Sequence, residues 1–254
     1  MKLTILGCGT SFGVPRVGND WGACDPAESR NRRRRVSILV EHDGTRILVD
    51  TSPDLREQLL GAGIGDLDAV IWTHDHADHC HGIDDLRAIF HRRGAAVPGL
   101  ARPETLAPMR ARFAYAFEGK GGYPAMIEGR PLPDSLFIGP IEVAVVDQPH
   151  GAITSAGLRF EAGGRSIGYS TDCNDLTEDM KHLFEGVDVW VVDALRRQPH
   201  PTHPHLARAL EWIGIVRPGL AILTHMDHSL DYRTLLDELP VGVEPGFDGL
   251  EIAL

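Results

Sequence analysis

The sequence predicts an α/β chain in which two sheets pack face to face with helices outside. Strand-like segments recur through both halves, and each half interleaves them with helical ones, so every apolar sheet face needs a partner to bury against. The 254 residues, 43% of them hydrophobic, suffice for one substantial core, and a single domain over residues 1–254 is expected.

The first strand, residues 3–6, runs into Gly7-Cys8-Gly9-Thr10-Ser11-Phe12-Gly13-Val14-Pro15, a glycine-rich loop that either brings backbone close to a site or simply ends the strand. Residues 36–42, the pair Asp43-Gly44 and residues 45–50 form a hairpin signal with a two-residue turn. Ser52-Pro53 supplies an N-cap and a first-turn proline for a helix reaching about Leu60, and Gly61-Ala62-Gly63 stops it before a strand ending at Trp72. Residues from about 94 to 133 are rich in Gly and Pro at both ends, with a helical segment around 109–117. They read as an excursion from the scaffold that covers a site. The second half offers strands near 137–146, 158–161, 166–170 and 187–192, a helix at 205–213 and a strand at 220–223.

A net charge of −11 argues against non-specific binding along a nucleic-acid backbone, which draws its affinity from Lys and Arg on phosphates. The run Arg30-Asn31-Arg32-Arg33-Arg34-Arg35 reads first as a solvated charge run paired with nearby acids, with a recruiting patch for a phosphorylated or RNA substrate as the alternative. Cys8, Cys24, Cys80 and Cys173 lie far apart with no CxxC pair, which fits neither a disulfide framework nor a four-cysteine zinc site. The apolar run at the N-terminus is too short for a signal peptide, and no stretch reaches the ~18 apolar residues of a membrane span. The expectation is a cytoplasmic protein with no membrane partner.

The densest chemistry lies in Thr73-His74-Asp75-His76-Ala77-Asp78-His79, three imidazoles and two carboxylates directly after the apolar run Asp68-Ala69-Val70-Ile71-Trp72. Crowding so many titratable groups is costly unless a cation compensates them, and imidazole with carboxylate suits Zn, Mn or Fe(II). Further metal-competent residues follow at strand ends: His150, Asp172 and His225. Together they are enough for two metals.

With its HxHxDH motif at His74, His76, Asp78 and His79, and later ligands at His150, Asp172 and His225, the chain resembles the metallo-β-lactamase fold superfamily of binuclear hydrolases. That resemblance implies an αββα sandwich of two mixed sheets with the site at the edge between them. It implies that His74, His76 and His150 hold one metal, that Asp78, His79 and His225 hold the other, and that Asp172 bridges them. The ions would be Mn or Zn, and a metal-bound hydroxide would be the nucleophile.

Finer motifs decide among the chemistries that fold supports. The glycine-rich opening, His203 following Asp193, and Pro245-Gly246-Phe247-Asp248-Gly249-Leu250-Glu251-Ile252 together resemble the phosphodiesterase branch, closest to the phosphonate-utilisation phosphodiesterases that open cyclic ribose phosphates. That family's extra histidine matches His203, which would protonate the departing alkoxide; His205, two residues on, is the competing candidate. Those enzymes carry clustered cysteines for a structural zinc where this chain keeps only Cys24, so that extra site is expected to be absent. Asp50 either orients the metal loop or forms a turn. Asp75 is expected to face away from the metals, His200 and His228 to shape the pocket or lie exposed in loops, and Cys80 and Cys173 to be inert. The expected substrate is a small cyclic or nucleotide-type phosphodiester rather than an extended nucleic acid; a homodimer is suggested only by the family resemblance. RNA 3′-end processing, thioester or lactam cleavage, and nucleotide binding without turnover are the alternatives.

Overall fold

A computed structural model describes residues 1–254. Strands β1 (Lys2–Gly7), β2 (Ser37–His42) and β3 (Thr45–Val49) form an antiparallel meander, with Asp43 and Gly44 at φ +46° and +81° in the two-residue turn. Helix α1 (Leu55–Gly61) carries the chain to β4 (Ala69–Ile71), which pairs parallel to β3. The short helix α2 (Ala77–Cys80) and α3 (Leu86–Arg93) precede β5 (Val97–Ala101); α4 (Pro103–Arg112) and α5 (Ala114–Glu118) precede β6 (Ile127–Pro131).

The second sheet starts with β7 (Ser135–Ile138), β8 (Ile141–His150), β9 (Ile153–Ala162) and β10 (Arg165–Ser170), successive strands that pair antiparallel. Helix α6 (Glu178–Phe184) then leads to β11 (Val189–Asp193), α7 (Leu206–Val216) to β12 (Leu220–Thr224), and α8 (Tyr232–Glu238) to β13 (Val243–Pro245). These helical crossovers make β10 to β13 parallel. The last strand, β14 (Glu251–Ala253), crosses back to pair antiparallel with β1. Two seven-stranded mixed sheets result, ordered β14-β1-β2-β3-β4-β5-β6 and β13-β12-β11-β10-β9-β8-β7. The predicted αββα sandwich is the observed fold.

Alternation along the first sheet builds the sandwich. Leu3, Ile5, Ile38, Val40, Ile47 and Val49 join the core shared with the second sheet, whereas Leu6, Leu39, Leu48 and Val70 face the helices outside. That period of two is the pleat read directly from sequence. No helix is long and apolar enough to cross a membrane.

Several boundaries differ from expectation. Residues 94–133 are not an excursion: β5 and β6 extend the first sheet, pairing parallel with β4 and with each other, and no residue between 94 and 133 lines the cleft described below. The helix expected around 109–117 is two helices broken at Phe113, whose φ −117° and ψ 38° are not helical. The strand expected at 137–146 is a hairpin turning at Gly139, φ +55°. The first helix begins at Leu55 rather than at Pro53, because Ser52 Oγ accepts the Asp54 N–H in a preceding turn.

Candidate metal centre

Strand ends deliver the side chains. His74 follows β4, His150 closes β8, Asp172 follows β10, Asp193 closes β11 and His225 follows β12. Because β10, β11 and β12 run parallel, their C-terminal ends reach one edge of the sheet together, as in other open α/β sheets. The HxHxDH segment comes from the first sheet: His76 is the N-cap of α2, and Asp78 and His79 lie in its single turn.

Three of these positions adopt backbone that side-chain-bearing residues rarely visit: Asp50, Asp172 and His225 have φ +62°, +55° and +57°. Surrounding hydrogen bonds hold the first two there. Thr73 donates its N–H to Asp50 Oδ1 (2.8 Å) and its hydroxyl to Asp50 Oδ2 (2.9 Å). Behind Asp172, Ser155 Oγ donates to its carbonyl at 2.7 Å and Gln148 Nε2 donates to the Thr171 carbonyl at 3.1 Å.

The two oxygens of Asp172 face different histidines. Oδ1 lies 3.8 Å from His74 Nε2 and 3.6 Å from His150 Nε2; Oδ2 lies 3.1 Å from His79 Nε2 and 3.6 Å from His225 Nε2. Asp78 Oδ2 is 3.4 Å from His79 Nε2 and 3.6 Å from His225 Nε2. His76 Nδ1 and His150 Nε2 stand 3.3 Å apart. Donor atoms of His74, His76, His150 and Asp172 thus cluster within 4.8 Å of one another, as do those of Asp78, His79 and His225. All seven predicted ligand residues converge.

Other side chains aim the rings. Nδ1 of His79 pairs with Asp50 Oδ2 at 2.7 Å, Nδ1 of His74 with Thr73 Oγ1 at 3.0 Å, and Nδ1 of His150 with the Thr202 carbonyl at 3.1 Å. Each pairing leaves Nε2 toward the cluster, the arrangement by which metal-binding histidines are oriented. Asp50 therefore supports the loop rather than merely forming a turn.

The residues fit divalent metal. Nε2 of His74, His79 and His225 is buried with no hydrogen-bond partner, which is rare for buried polar atoms unless an ion or water completes them. Imidazole nitrogen and carboxylate oxygen are the donors Zn and Mn accept. The electrostatics agree. Burial opposes charge on Asp172 and Asp78, yet His225 and His79 beside Asp172, and His79 with His225 beside Asp78, hold both carboxyls far below the usual range. Burial also opposes a charged His225, but Asp172 and Asp78 push it up to about 9. Burial, reinforced by His79, drives His74 well below its ordinary value. Such opposed shifts mark a site that a cation would reorganise.

His203 joins this constellation and His205 does not: His203 Nε2 is 3.8 Å from Asp172 Oδ1, while His205 serves as N-cap of α7 outside the cleft. Asp193, which no sequence motif marks, accepts from His203 Nδ1 at 2.8 Å and from the Asp172 N–H at 3.0 Å. Its signal was available in its position at the end of an apolar strand. His200 lines the cleft, and His228 packs behind it against Arg16. Asp75 turns away, pairing with Arg112 at 3.0 Å. Cys80 and Cys173 are buried, with thiols pushed up by burial. The arginine run divides: Arg34 pairs with Asp248, Arg35 with Asp54, and Arg33 is buried on the Asp227 and Leu230 carbonyls. Arg30 lies over Tyr232 and Phe247, and Arg32 lies over Trp21.

Residues 45–226 match the family model described as beta-lactamase superfamily domain. A curated relative named octanoyltransferase, from Porphyromonas gingivalis, is 35% identical over 99% of this chain, and the chain spans about half (51%) of that relative's length. Among solved structures, one titled as a new diphosphatase from the PhnP family has 33% identity and a TM-score of 0.91, covering 100% of this chain and 97% of its own. Zn(2+)-bound PqqB from Methylobacterium extorquens shares the fold at 19% identity and a TM-score of 0.79, with 100% of both chains covered.

Proposed function

Since the chain belongs to the beta-lactamase superfamily domain family, we propose that it is a metal-dependent phosphodiesterase that hydrolyses small cyclic or nucleotide-type phosphodiesters. The observation that carries this reading is the convergence of seven His and Asp donors with a further imidazole, His203, beside them. Likeness to the diphosphatase at 33% identity supports phosphoryl chemistry over thioester or lactam cleavage. The octanoyltransferase relative does not redirect it, because this chain matches only 51% of that protein.

His74, His76 and His150 would hold one Mn or Zn ion and Asp78, His79 and His225 the other, with the Asp172 carboxylate facing both sets. When bound, such ions supply Lewis-acid activation of water and of the phosphoryl oxygen. The chain's own residues do the rest. Asp50 orients His79, and the Thr202 carbonyl orients His150. Asp193 fixes the His203 ring with Nδ1 protonated, so Nε2 is the nitrogen that delivers a proton to the departing alkoxide. General acid help of this kind contributes about 10²–10⁴-fold.

The test is hydrolysis of bis(p-nitrophenyl) phosphate and 2′,3′-cyclic AMP by metal-stripped protein reloaded with Mn or Zn. Turnover of both that requires metal is expected. Cleavage of a thioester or lactam with neither phosphodiester touched would overturn the reading.

A further inference from the structure

A cavity of about 260 Å³ opens on the outer, helical side of the first sheet, between α3, α5 and the turn that leads into β6. It shares no residue with the lining of the metal cleft. Its deeper wall is apolar: Phe90 and Met126 pack into the core cluster on that side of the sheet. Nearer solvent stand two rings, Tyr115 and Tyr123, 37% and 74% exposed. Arg87, His91 and Lys120 supply the rest of the polar lining, and no acid lines the cavity. That balance runs against a chain whose Asp and Glu outnumber Lys and Arg by 36 to 25.

Lys120 is the unmatched charge. Lys2 and Lys181, the other lysines of the chain, pair with Glu41 and Glu178 at 2.7 and 2.6 Å, whereas Lys120 Nζ has neither an ion pair nor a hydrogen bond. Arg87 is partly offset by Asp84, 2.7 Å away, with both side chains about half exposed. The turn that carries Lys120 is fixed. Lys120 and Tyr123 exchange N–H to carbonyl bonds, both at 3.0 Å, around Gly121 and Gly122 at φ +59° and +88°, the geometry of a two-residue hairpin turn. Behind it, a Cβ on Gly119, φ +74°, would come within 2.4 Å of the Tyr123 carbonyl oxygen. Backbone that glycine alone adopts readily therefore holds the ammonium and the phenol ring at one cavity.

Aromatic faces beside an unpaired ammonium fit a ligand that joins a planar ring to an anion. Rings of Tyr and Phe stack on heterocycles of any sequence, and Lys and Arg are the donors phosphate prefers. A free phosphate would use only the basic half of the lining and an apolar segment only the other half. The volume lies just below the usual range for small-molecule sites, which suits a mononucleotide rather than a longer ligand. We propose that this cavity is a second ligand site, apart from the metal centre, that binds a nucleoside monophosphate with its base against Tyr115 and Tyr123 and its phosphate on Lys120 and Arg87. The site goes beyond the hydrolytic reading and does not depend on it.

The experiment is photolabelling of the metal-loaded protein with 8-azidoadenosine 5′-monophosphate, followed by peptide mapping, for wild type, Lys120→Ala and Tyr123→Ala. In wild type, label is expected within residues 113–126 and is suppressed by excess AMP. Each substitution should lower that label by at least about fivefold, and adenosine, which lacks the anion, should protect at least about fivefold less well than AMP. Both side chains are exposed, so the variants should keep the wild-type thermal melt, which separates lost binding from lost folding. Label confined to the peptides of the metal cleft, no label at all, or label within 113–126 that either substitution leaves unchanged overturns the site. Labelling needs no turnover, so the result stands whether or not the protein cleaves phosphodiesters.

Discussion

His203 Nδ1 and Asp193 Oδ2 lie 2.8 Å apart, and that same carboxylate oxygen accepts the Asp172 N–H at 3.0 Å. One buried acid thus positions both the histidine proposed to move a proton and the carboxylate shared by the two ligand groups. Asp193→Asn removes the carboxylate charge that faces His203 Nδ1–H and holds the doubly protonated ring, the form that donates from Nε2. Turnover of 2′,3′-cyclic AMP should fall by about 10²–10⁴ in kcat with metal content retained, as steady-state kinetics beside elemental analysis will show. Unchanged kcat would remove Asp193 from the mechanism.

Asp50 acts one step further out. It is fully buried and pairs with His79, and burial raises its carboxyl despite that neighbour. Asp50→Ala should weaken divalent-metal affinity by about 10- to 100-fold, because an unoriented imidazole must be ordered at the moment of binding. Competition with a chromophoric chelator measures it, and rescue by Asp50→Asn should be partial, since the amide keeps one acceptor for Thr73.

Asp172 carries the greatest structural consequence. Asp172→Ala leaves four imidazoles facing each other without the carboxylate between them, so wild-type metal stoichiometry should not be reached. Metal content by plasma emission is expected to drop, and the stabilisation that added Mn or Zn gives wild type in a thermal melt should shrink.

Outside the cleft lining, Asp231 provides a pH test of the fold. It caps α8, accepting from the Thr234 and Asp25 N–H groups at 2.9 and 3.1 Å, and these bonds outweigh partial burial to lower its carboxyl to about 2. A depressed acid stabilises the fold above its unfolded value of about 4, and that contribution disappears as pH falls through about 2. Asparagine caps helices nearly as well, so Asp231→Asn should unfold at lower urea concentration than wild type at pH 5, with the difference narrowing toward pH 2.5.

Much of this was legible in the chain. Ligand types at strand ends are readable because a parallel sheet brings its C-terminal ends together, and the HxHxDH spacing compresses four ligands into one turn and its approach. Pairings that depend on three dimensions were not: Asp50 meets His79 across 29 residues. The strand Val97–Ala101 was hidden by its Pro98 and Gly99, residues that weaken a strand pattern. Gly99 is there for packing, since a Cβ would approach Trp72 within 2.5 Å. Residues 94–133 therefore look like an excursion in sequence, yet they contribute strands β5 and β6 to the first sheet, with α4 and α5 between them.

The most direct test of the account is the leaving-group dependence of His203→Ala. p-Nitrophenolate departs without a proton, whereas the ribose alkoxide of 2′,3′-cyclic AMP needs one. The variant is expected to lose about 10²–10⁴ in kcat on the cyclic nucleotide and far less on bis(p-nitrophenyl) phosphate, with metal content equal to wild type. Equal losses on both substrates, or none on either, would contradict His203 as the proton donor.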